Sequence, residues 1–67
     1  MKTLTPEQEA ALTRFARDNG RTWKQALRDL WFYGNEYNEE DGGYLRQVRN
    51  QFGPSWLIKY QLPKGTL

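Results

Sequence analysis

Basic side chains recur at regular spacings through the first half of the chain and suggest a surface that binds phosphate. They are Arg17, Arg21, Lys24 and Arg28. The last three occupy positions i, i+3 and i+7, which lie along one edge of a helix. Cations in such a row attract the phosphates of a nucleic acid, and the free amides at the amino terminus of a helix also favour an anion. The spacing therefore predicts a phosphate-binding corner between two helices; the alternative is an ordinary solvated face.

Side chains able to read base edges form a second group, which comprises Arg46, Arg49 and Asn50. Arginine pairs bidentately with guanine, and asparagine pairs with adenine. A helix-turn-helix motif joins its helices by about three or four residues. Here nine residues, 35–43, precede the group, and four of them are carboxylates that would repel phosphate. We therefore expect a second phosphate contact rather than major-groove reading; the alternative is a polar face in which Arg49 pairs with a carboxylate.

Half of the acidic residues fall in one short window. Glu36, Glu39, Glu40 and Asp41 lie there without any Lys or Arg, so the rest of the chain carries ten basic and four acidic side chains, a formal charge of +6. Polar residues and two closing glycines predict a loop over residues 35–43. The carboxylates lack the alternating ligand positions and central glycine of a calcium loop, so we expect no metal site.

Residue types that are missing exclude most enzyme chemistry. The 67 residues include neither Cys nor His, which excludes disulfides, thiolate metal sites and cysteine nucleophiles and removes the commonest general base. The sequence has no glycine-rich phosphate loop, nucleophile elbow or pair of catalytic carboxylates. We therefore predict a protein that is not an enzyme and needs no cofactor. No apolar run approaches a membrane span of about 20 residues, so a cytoplasmic protein without a membrane partner is expected.

The first predicted helix begins with a strong local signal. Thr5 can cap a helix whose first position is Pro6 and whose third position is Gln8. This signal predicts a helix over residues 5–19, which Gly20 ends. The connection to the next helix is short, which predicts that the two helices pack together as a hairpin.

The second helix is predicted over residues 22–33. Thr22 and Gln25 have the spacing of a capping box, and Gly34 is expected to end the helix. Apolar side chains recur at spacings of three, four and seven, which places them on one stripe: Trp23, Ala26, Leu27, Leu30 and Trp31. We interpret this stripe as the centre of the core.

Two shorter elements complete the prediction. Helical spacing resumes over residues 44–52 and stops at the Gly-Pro pair that follows. Apolar residues then alternate over residues 55–62, which predicts an extended strand; the alternative is a short helix capped by Ser55. A lone strand leaves backbone groups unpaired, so the strand prediction implies pairing with residues 2–5 or with the same strand of a second molecule.

Two solitary aromatic residues suggest contacts with a protein partner. Phe32 lies off the apolar stripe, so it is covered either by Trp56 or Ile58 of the C-terminal strand or by a partner. Tyr37 lies among the carboxylates of the predicted loop and would suit a surface that imitates nucleic acid or binds a basic protein. The alternative interaction surface comprises Phe32, Tyr37, Glu39, Glu40, Trp56 and Tyr60.

A combined pattern through the middle and end of the chain resembles proteins of bacteria and prophages. The residues that carry it are Trp23-Lys24, Leu27, Trp31, Leu45, Val48-Arg49-Asn50 and Phe52-Gly53-Pro54-Ser55-Trp56-Leu57. They are similar to a group of very small, functionally uncharacterised bacterial and prophage-borne proteins that end in RNxFGPxWL and an alternating tail. The resemblance covers roughly residues 15–62. It implies a small domain of bacterial or phage origin and implies no activity.

These observations predict a mainly α fold in a single small domain of residues 1–67. It consists of a helical hairpin, a third short helix and an extended C-terminal segment. The preferred function is a non-enzymatic nucleic-acid-binding or regulatory accessory protein. The alternative is a protein-interaction module, as a homodimer or an inhibitor-type binder, with no role in nucleic-acid binding.

Overall fold

Four α-helices and one 3-10 turn form the described part of the chain. The computed structural model describes residues 3–34 and 39–67, with side chains from residue 43 onward in the second range. The elements are α1 at Pro6–Asn19, the 3-10 turn at Gly20–Thr22, α2 at Trp23–Tyr33, α3 at Glu39–Phe52 and α4 at Pro54–Lys59. No strand occurs in these two ranges, and the predicted mainly α class is confirmed. The Cα radius of gyration is 10.9 Å, about the value expected for a compact domain of this length.

A capping box fixes the start of α1, as the sequence predicts. The Thr5 hydroxyl accepts the Gln8 amide at 3.2 Å, and the Gln8 side-chain oxygen accepts the Thr5 amide at 3.1 Å. Gly20 follows the helix with a φ of 68°, a backbone angle that residues with a Cβ rarely adopt. The cap and this glycine therefore delimit α1, whose first residue is Pro6.

The start of α2 differs from the prediction of a helix that begins at Thr22 with a capping box to Gln25. The 3-10 turn runs directly into α2, and the Trp23 amide donates to the Gly20 carbonyl. Thr22 has φ −94° and ψ 14°, and its side chain makes no capping bond. Its hydroxyl instead donates to the Asn19 carbonyl at 3.2 Å. The capping-box prediction is wrong because the helical path begins before Thr22, which therefore lacks the extended conformation of a cap.

Buried apolar side chains from all four helices form the core of the described part. They are Ala11, Leu12, Ala16, Trp23, Leu27, Trp31, Leu45, Val48 and Leu57. α1 packs against α2 and α3, and α4 packs against the same two helices. α1 and α2 are in contact, and the prediction that they form a hairpin stays a prediction. The predicted stripe of α2 supplies three of the buried residues, whereas Ala26 and Leu30 at its margins are only half-buried.

α3 begins earlier than the predicted helix of residues 44–52. It spans Glu39–Phe52, whereas the sequence predicts a loop over residues 35–43. That prediction is wrong for the last five residues of the loop, and the first four lie outside the described ranges. The glycine pair costs about 1 kcal/mol per residue relative to alanine, and this cost is too small to end the helix.

The C-terminal strand predicted over residues 55–62 is wrong. Pro54–Lys59 forms α4, and the rest of the chain has neither helix nor strand. The glycine before α4 turns the chain with a φ of 80°, and proline at the first helical position suits a helix start. Alternation misled the prediction because Leu57 is buried while Ile58 is 71% exposed, the reverse of the strand pattern. The alternative of a short helix is confirmed, although Ser55 does not cap it. The homodimer predicted to form through pairing of this strand therefore has no strand through which to pair.

Aromatic rings attach α4 to α3 and α2. Phe52 and Trp56 stack with ring centroids 4.8 Å apart, and the Trp56 ring lies 4.5 Å from that of Tyr60. Tyr60 meets Trp23 edge to face at 6.3 Å. Trp56 and Tyr60 are four positions apart, so helical geometry puts them on one face. This packing turns Ile58 away from the stack.

Candidate nucleic-acid interface

A shallow groove between the start of α2 and α4 unites three of the four basic residues predicted to bind phosphate. Its lining residues are Arg21, Thr22, Lys24, Gln25, Arg28, Leu57 and Ile58. The volume of the groove is about 440 Å³. We call it the basic groove.

The cations of the basic groove face no opposing charge in its lining. Arg21 and Arg28 are exposed and Lys24 is half-buried, and no carboxylate is among the lining residues. The Lys24 ammonium lies 5.7 Å from the centre of the Trp23 ring. Such a cation–π contact holds the charge against the edge of the core without neutralising it. The groove therefore presents three positive charges to a ligand.

Helical geometry sets the spacing of these charges. From Arg21 to Arg28 the backbone rises about 11 Å along the helical path. In a duplex, the phosphates of one strand follow one another at about 3.4 Å of axial rise. The row is therefore long enough to lie beside about four consecutive phosphates of one strand.

An exposed aliphatic side chain borders the three charges. Ile58 is 71% exposed, and its neighbour Leu57 is buried beneath the groove at 1% exposure. Ile58 is not among the predicted binding residues because strand periodicity puts it beside Trp56 on a covered face. The alternative prediction of a short helix for this segment would have placed Ile58 on a different face from Trp56 and so could have identified it.

Arg17 is not part of the basic groove. Its Nε donates to the Thr66 carbonyl at 3.4 Å, so Arg17 holds the C-terminal segment against α1. It also lines a separate groove along α1 with Arg14 and Glu9, whose carboxylate would repel a phosphate. The structure therefore separates Arg17 from the three basic residues with which it was grouped.

The amino terminus of α2 offers fewer free amides than the sequence predicts. The Trp23 amide donates to the Gly20 carbonyl, and the Gly20 amide donates to the Ala16 carbonyl. Both of these amides at the junction between α1 and α2 are therefore already bonded within the protein. Side chains, rather than helix amides, are the main anion-binding groups of this corner.

The second predicted group, on α3, includes a residue that is bonded within the protein. Arg49 Nη1 donates to the Trp31 carbonyl at 2.9 Å, and its Nε donates to Asn50 Oδ1 at 3.4 Å. A cation near the carboxyl end of a helix interacts favourably with the helix dipole, so Arg49 stabilises the end of α2. Arg46 and Asn50 are exposed, but neither lines the basic groove.

The end of α2 exposes two neighbouring aromatic rings. Phe32 is 60% and Tyr33 81% exposed, and their ring centroids lie 6.5 Å apart. The predicted cover of Phe32 is wrong because Trp56 belongs to the aromatic stack and Ile58 points outward. Tyr33 was not predicted; its position off the apolar stripe of α2, next to Phe32, is the signal that identifies it.

The other residues of the predicted protein-interaction surface do not join this pair in the described part. Trp56 and Tyr60 are half-buried in the aromatic stack. Tyr37 lies outside the described residues, as do the side chains of Glu39 and Glu40. Of the predicted protein-interaction residues whose side chains the structure describes, Phe32 is therefore the exposed one.

Tyr60 is held in its neutral form. Burial raises the pKa of its hydroxyl above the ordinary value, and the negative charge of Glu9 raises it further. Both residues line a shallow pocket with Phe52 and Trp56. A neutral phenol at this position suits a structural role in the aromatic stack.

Searches among known proteins find no match to a family profile, a curated protein or a solved structure. Within the described residues, no helix is both long enough and apolar enough to cross a membrane. The same part of the chain contains no group of three metal-ligating side chains.

Proposed function

We propose that this protein is a small, non-enzymatic nucleic-acid-binding or regulatory accessory protein whose basic groove binds phosphates. The observation that supports the proposal is the row of Arg21, Lys24 and Arg28 along one groove without a carboxylate in its lining. The resemblance to small bacterial and prophage-borne proteins suggests the origin.

The shape of the basic groove favours a polymeric anion over a small phosphate compound. Small ligands are held in concave pockets by polar groups that converge on one point. Here the cations follow one another along a shallow groove at helical spacing. A polyanion with regularly spaced phosphates can meet all three cations at once.

α3 contributes little to binding in this proposal. Arg49 already donates to the Trp31 carbonyl, and a ligand would have to replace that bond. Arg46 and Asn50 are exposed and can add a peripheral phosphate contact. We therefore expect the basic groove to dominate the affinity.

The proposal is tested by fluorescence anisotropy with labelled random-sequence DNA, as a single strand and as a duplex, at about 50 mM salt. The double variant Arg21→Glu, Lys24→Glu replaces two cations of the groove by carboxylates. The matched control Lys59→Glu, Lys64→Glu changes the net charge by the same amount at exposed positions that do not line the groove.

We expect the groove variant to bind at least about 30-fold more weakly than the wild type and the control about threefold more weakly, because only the former loses direct phosphate contacts. Equal losses in the two variants would mean that net charge alone determines binding. A wild type that binds neither form of DNA would refute the nucleic-acid function.

A second candidate function is a protein-interaction module, which the exposed pair Phe32 and Tyr33 favours. Exposed aromatic side chains often anchor protein–protein interfaces. Sedimentation of the wild type and of the variant Phe32→Ser, Tyr33→Ser tests the homodimer version. A dimer formed through this pair would dissociate in the variant, whereas a wild type that is monomeric at high concentration would exclude a homodimer.

A further inference from the structure

We infer that the basic groove takes a single strand of nucleic acid, with phosphates on Arg21, Lys24 and Arg28 and a base against Ile58. The inference rests on the proposed function and goes further, because it names the form of nucleic acid and the side chain that distinguishes it.

The observation behind the inference is the position of an exposed aliphatic side chain beside three cations. Ile58 is 71% exposed and lines the basic groove. A surface that binds only phosphates gains nothing from this side chain, because phosphate oxygens require charged or hydrogen-bonding partners. A ligand that offers both negative charge and an apolar face would cover Ile58 and remove it from water.

A single strand meets both requirements, whereas a duplex meets only one. The bases of a duplex are stacked and paired, so their faces are closed to a protein side chain, and the outer surface presents phosphates. In a single strand the bases can unstack while the backbone follows a basic groove, and an unstacked base face can then cover an aliphatic side chain and remove it from water. The 3-10 turn and α2 supply the cations, and α4 supplies Ile58 across the groove.

The row of cations also sets the length of strand in contact. The row from Arg21 to Arg28 rises about 11 Å, which is long enough for each of its three cations to meet a different phosphate of one strand. For a single strand, each neutralised phosphate contributes about −0.7 to the slope of the logarithm of the binding constant against the logarithm of salt concentration. We therefore expect a slope of about −2.

An acidic peptide with apolar side chains is the competing occupant, since it too combines negative charge with apolar surface. The regular helical spacing of Arg21, Lys24 and Arg28 favours a polymer whose anions are regularly spaced along its backbone. We therefore assign the groove to a nucleic-acid strand, and the peptide serves as a comparison in the test.

The test compares four labelled ligands by fluorescence anisotropy with the full chain. They are a thymidine decamer, an abasic decamer with the same phosphates, a ten-base-pair duplex and an acidic decapeptide. We expect the thymidine decamer to bind about fivefold more tightly than the abasic decamer, the lower end of what base contacts with aromatic side chains provide.

Variants of exposed residues locate the base contact without disturbing the core. Ile58→Gln should lower the affinity for the thymidine decamer about fivefold and leave the affinity for the abasic decamer unchanged. Ile58→Leu should bind as the wild type does, because it keeps the apolar surface. Leu67→Gln removes another exposed apolar side chain outside the groove and should have no effect.

Failure of the inference differs from failure of the proposed function. Equal binding of the thymidine and abasic decamers, with loss of both in Arg21→Glu, Lys24→Glu, would overturn the single-strand inference and leave phosphate binding intact. Tighter binding of the duplex than of the strand would also overturn it. An acidic decapeptide that bound as tightly as the thymidine decamer, or a complete absence of nucleic-acid binding, would refute the proposed function as well.

Discussion

The basic groove and the interface between α1 and α3 both contain long polar side chains, but the two regions differ in what these side chains contact. In the groove, Arg21 and Arg28 are exposed and face no carboxylate of the lining. At the interface, Gln8 is buried and its amide donates to Gln47 Oε1 at 3.0 Å. One region keeps its polar groups available to a ligand, and the other uses them to join helices.

The difference shows that residue type and spacing do not decide whether a polar side chain can bind a ligand. Arg49 and Arg28 are both arginines on helices, and both are predicted to contact nucleic acid. Arg49 finds the Trp31 carbonyl, 18 positions away in the chain, whereas the groove gives Arg28 no carboxylate. Packing between distant segments therefore determines which of the two remains available.

The largest effect on stability is expected from Gln8→Ala. The substitution removes the capping-box bond that the Gln8 side-chain oxygen accepts from the Thr5 amide, and it removes the buried bond to Gln47, so the free energy of unfolding should fall by about 2 kcal/mol. Gln25→Ala is the matched control, because Gln25 is exposed and, among the described residues, its side chain bonds to Asp29 on its own helix. The control should cost at most about 0.5 kcal/mol. Chemical denaturation measures both values, and similar losses would contradict a structural role for Gln8.

A reciprocal pair of arginine substitutions sharpens the comparison. Arg49→Met should lower the free energy of unfolding by about 1 kcal/mol, since it removes the bond to the Trp31 carbonyl but keeps the apolar stem. Its DNA affinity should not change. Arg28→Met should leave stability unchanged and weaken DNA binding about fivefold through the loss of one phosphate contact. If Arg49→Met weakened binding more than Arg28→Met, α3 rather than the groove would be the interface.

The smallest effect concerns pH. The raised pKa of Tyr60 in the folded protein means that, above about pH 10, the unfolded chain loses this proton before the folded one does. The stability associated with Tyr60 is therefore fully present below about pH 10 and is lost as the pH rises further. Denaturation of the wild type and of Tyr60→Phe between about pH 9 and 11 should show a steeper loss for the wild type. If the stability of the two proteins fell in parallel with rising pH, the pKa of Tyr60 would not be raised by folding.

Signals carried by neighbouring residues predict much of the fold. The capping box at Thr5 and Gln8 fixes the start of α1, and Gly20 and Gly53 with positive φ follow α1 and α3. The apolar stripe of α2 supplies Trp23, Leu27 and Trp31 to the core. These signals act within about one helical turn, so the sequence alone reveals them.

The missed features depend either on short segments or on distant partners. α4 spans only Pro54–Lys59, too few residues for helical and strand periodicity to be distinguished. Ile58 is exposed because this segment is a helix and not a strand. The strand prediction therefore could not identify Ile58 as the apolar side chain of the groove. Gln8 also bonds to Gln47 on α3, and Arg49 bonds to Trp31 on α2; no local pattern identifies these two partners.

The most direct measurement is an amide chemical-shift titration of the isotope-labelled protein with the thymidine decamer at about 50 and 300 mM salt. We predict shifts at residues 21–28 and 57–58 that disappear at the higher salt concentration, with at most small shifts at residues 46–50 of α3. Shifts centred on residues 46–50, or no shifts at either salt concentration, would contradict phosphate binding in the basic groove.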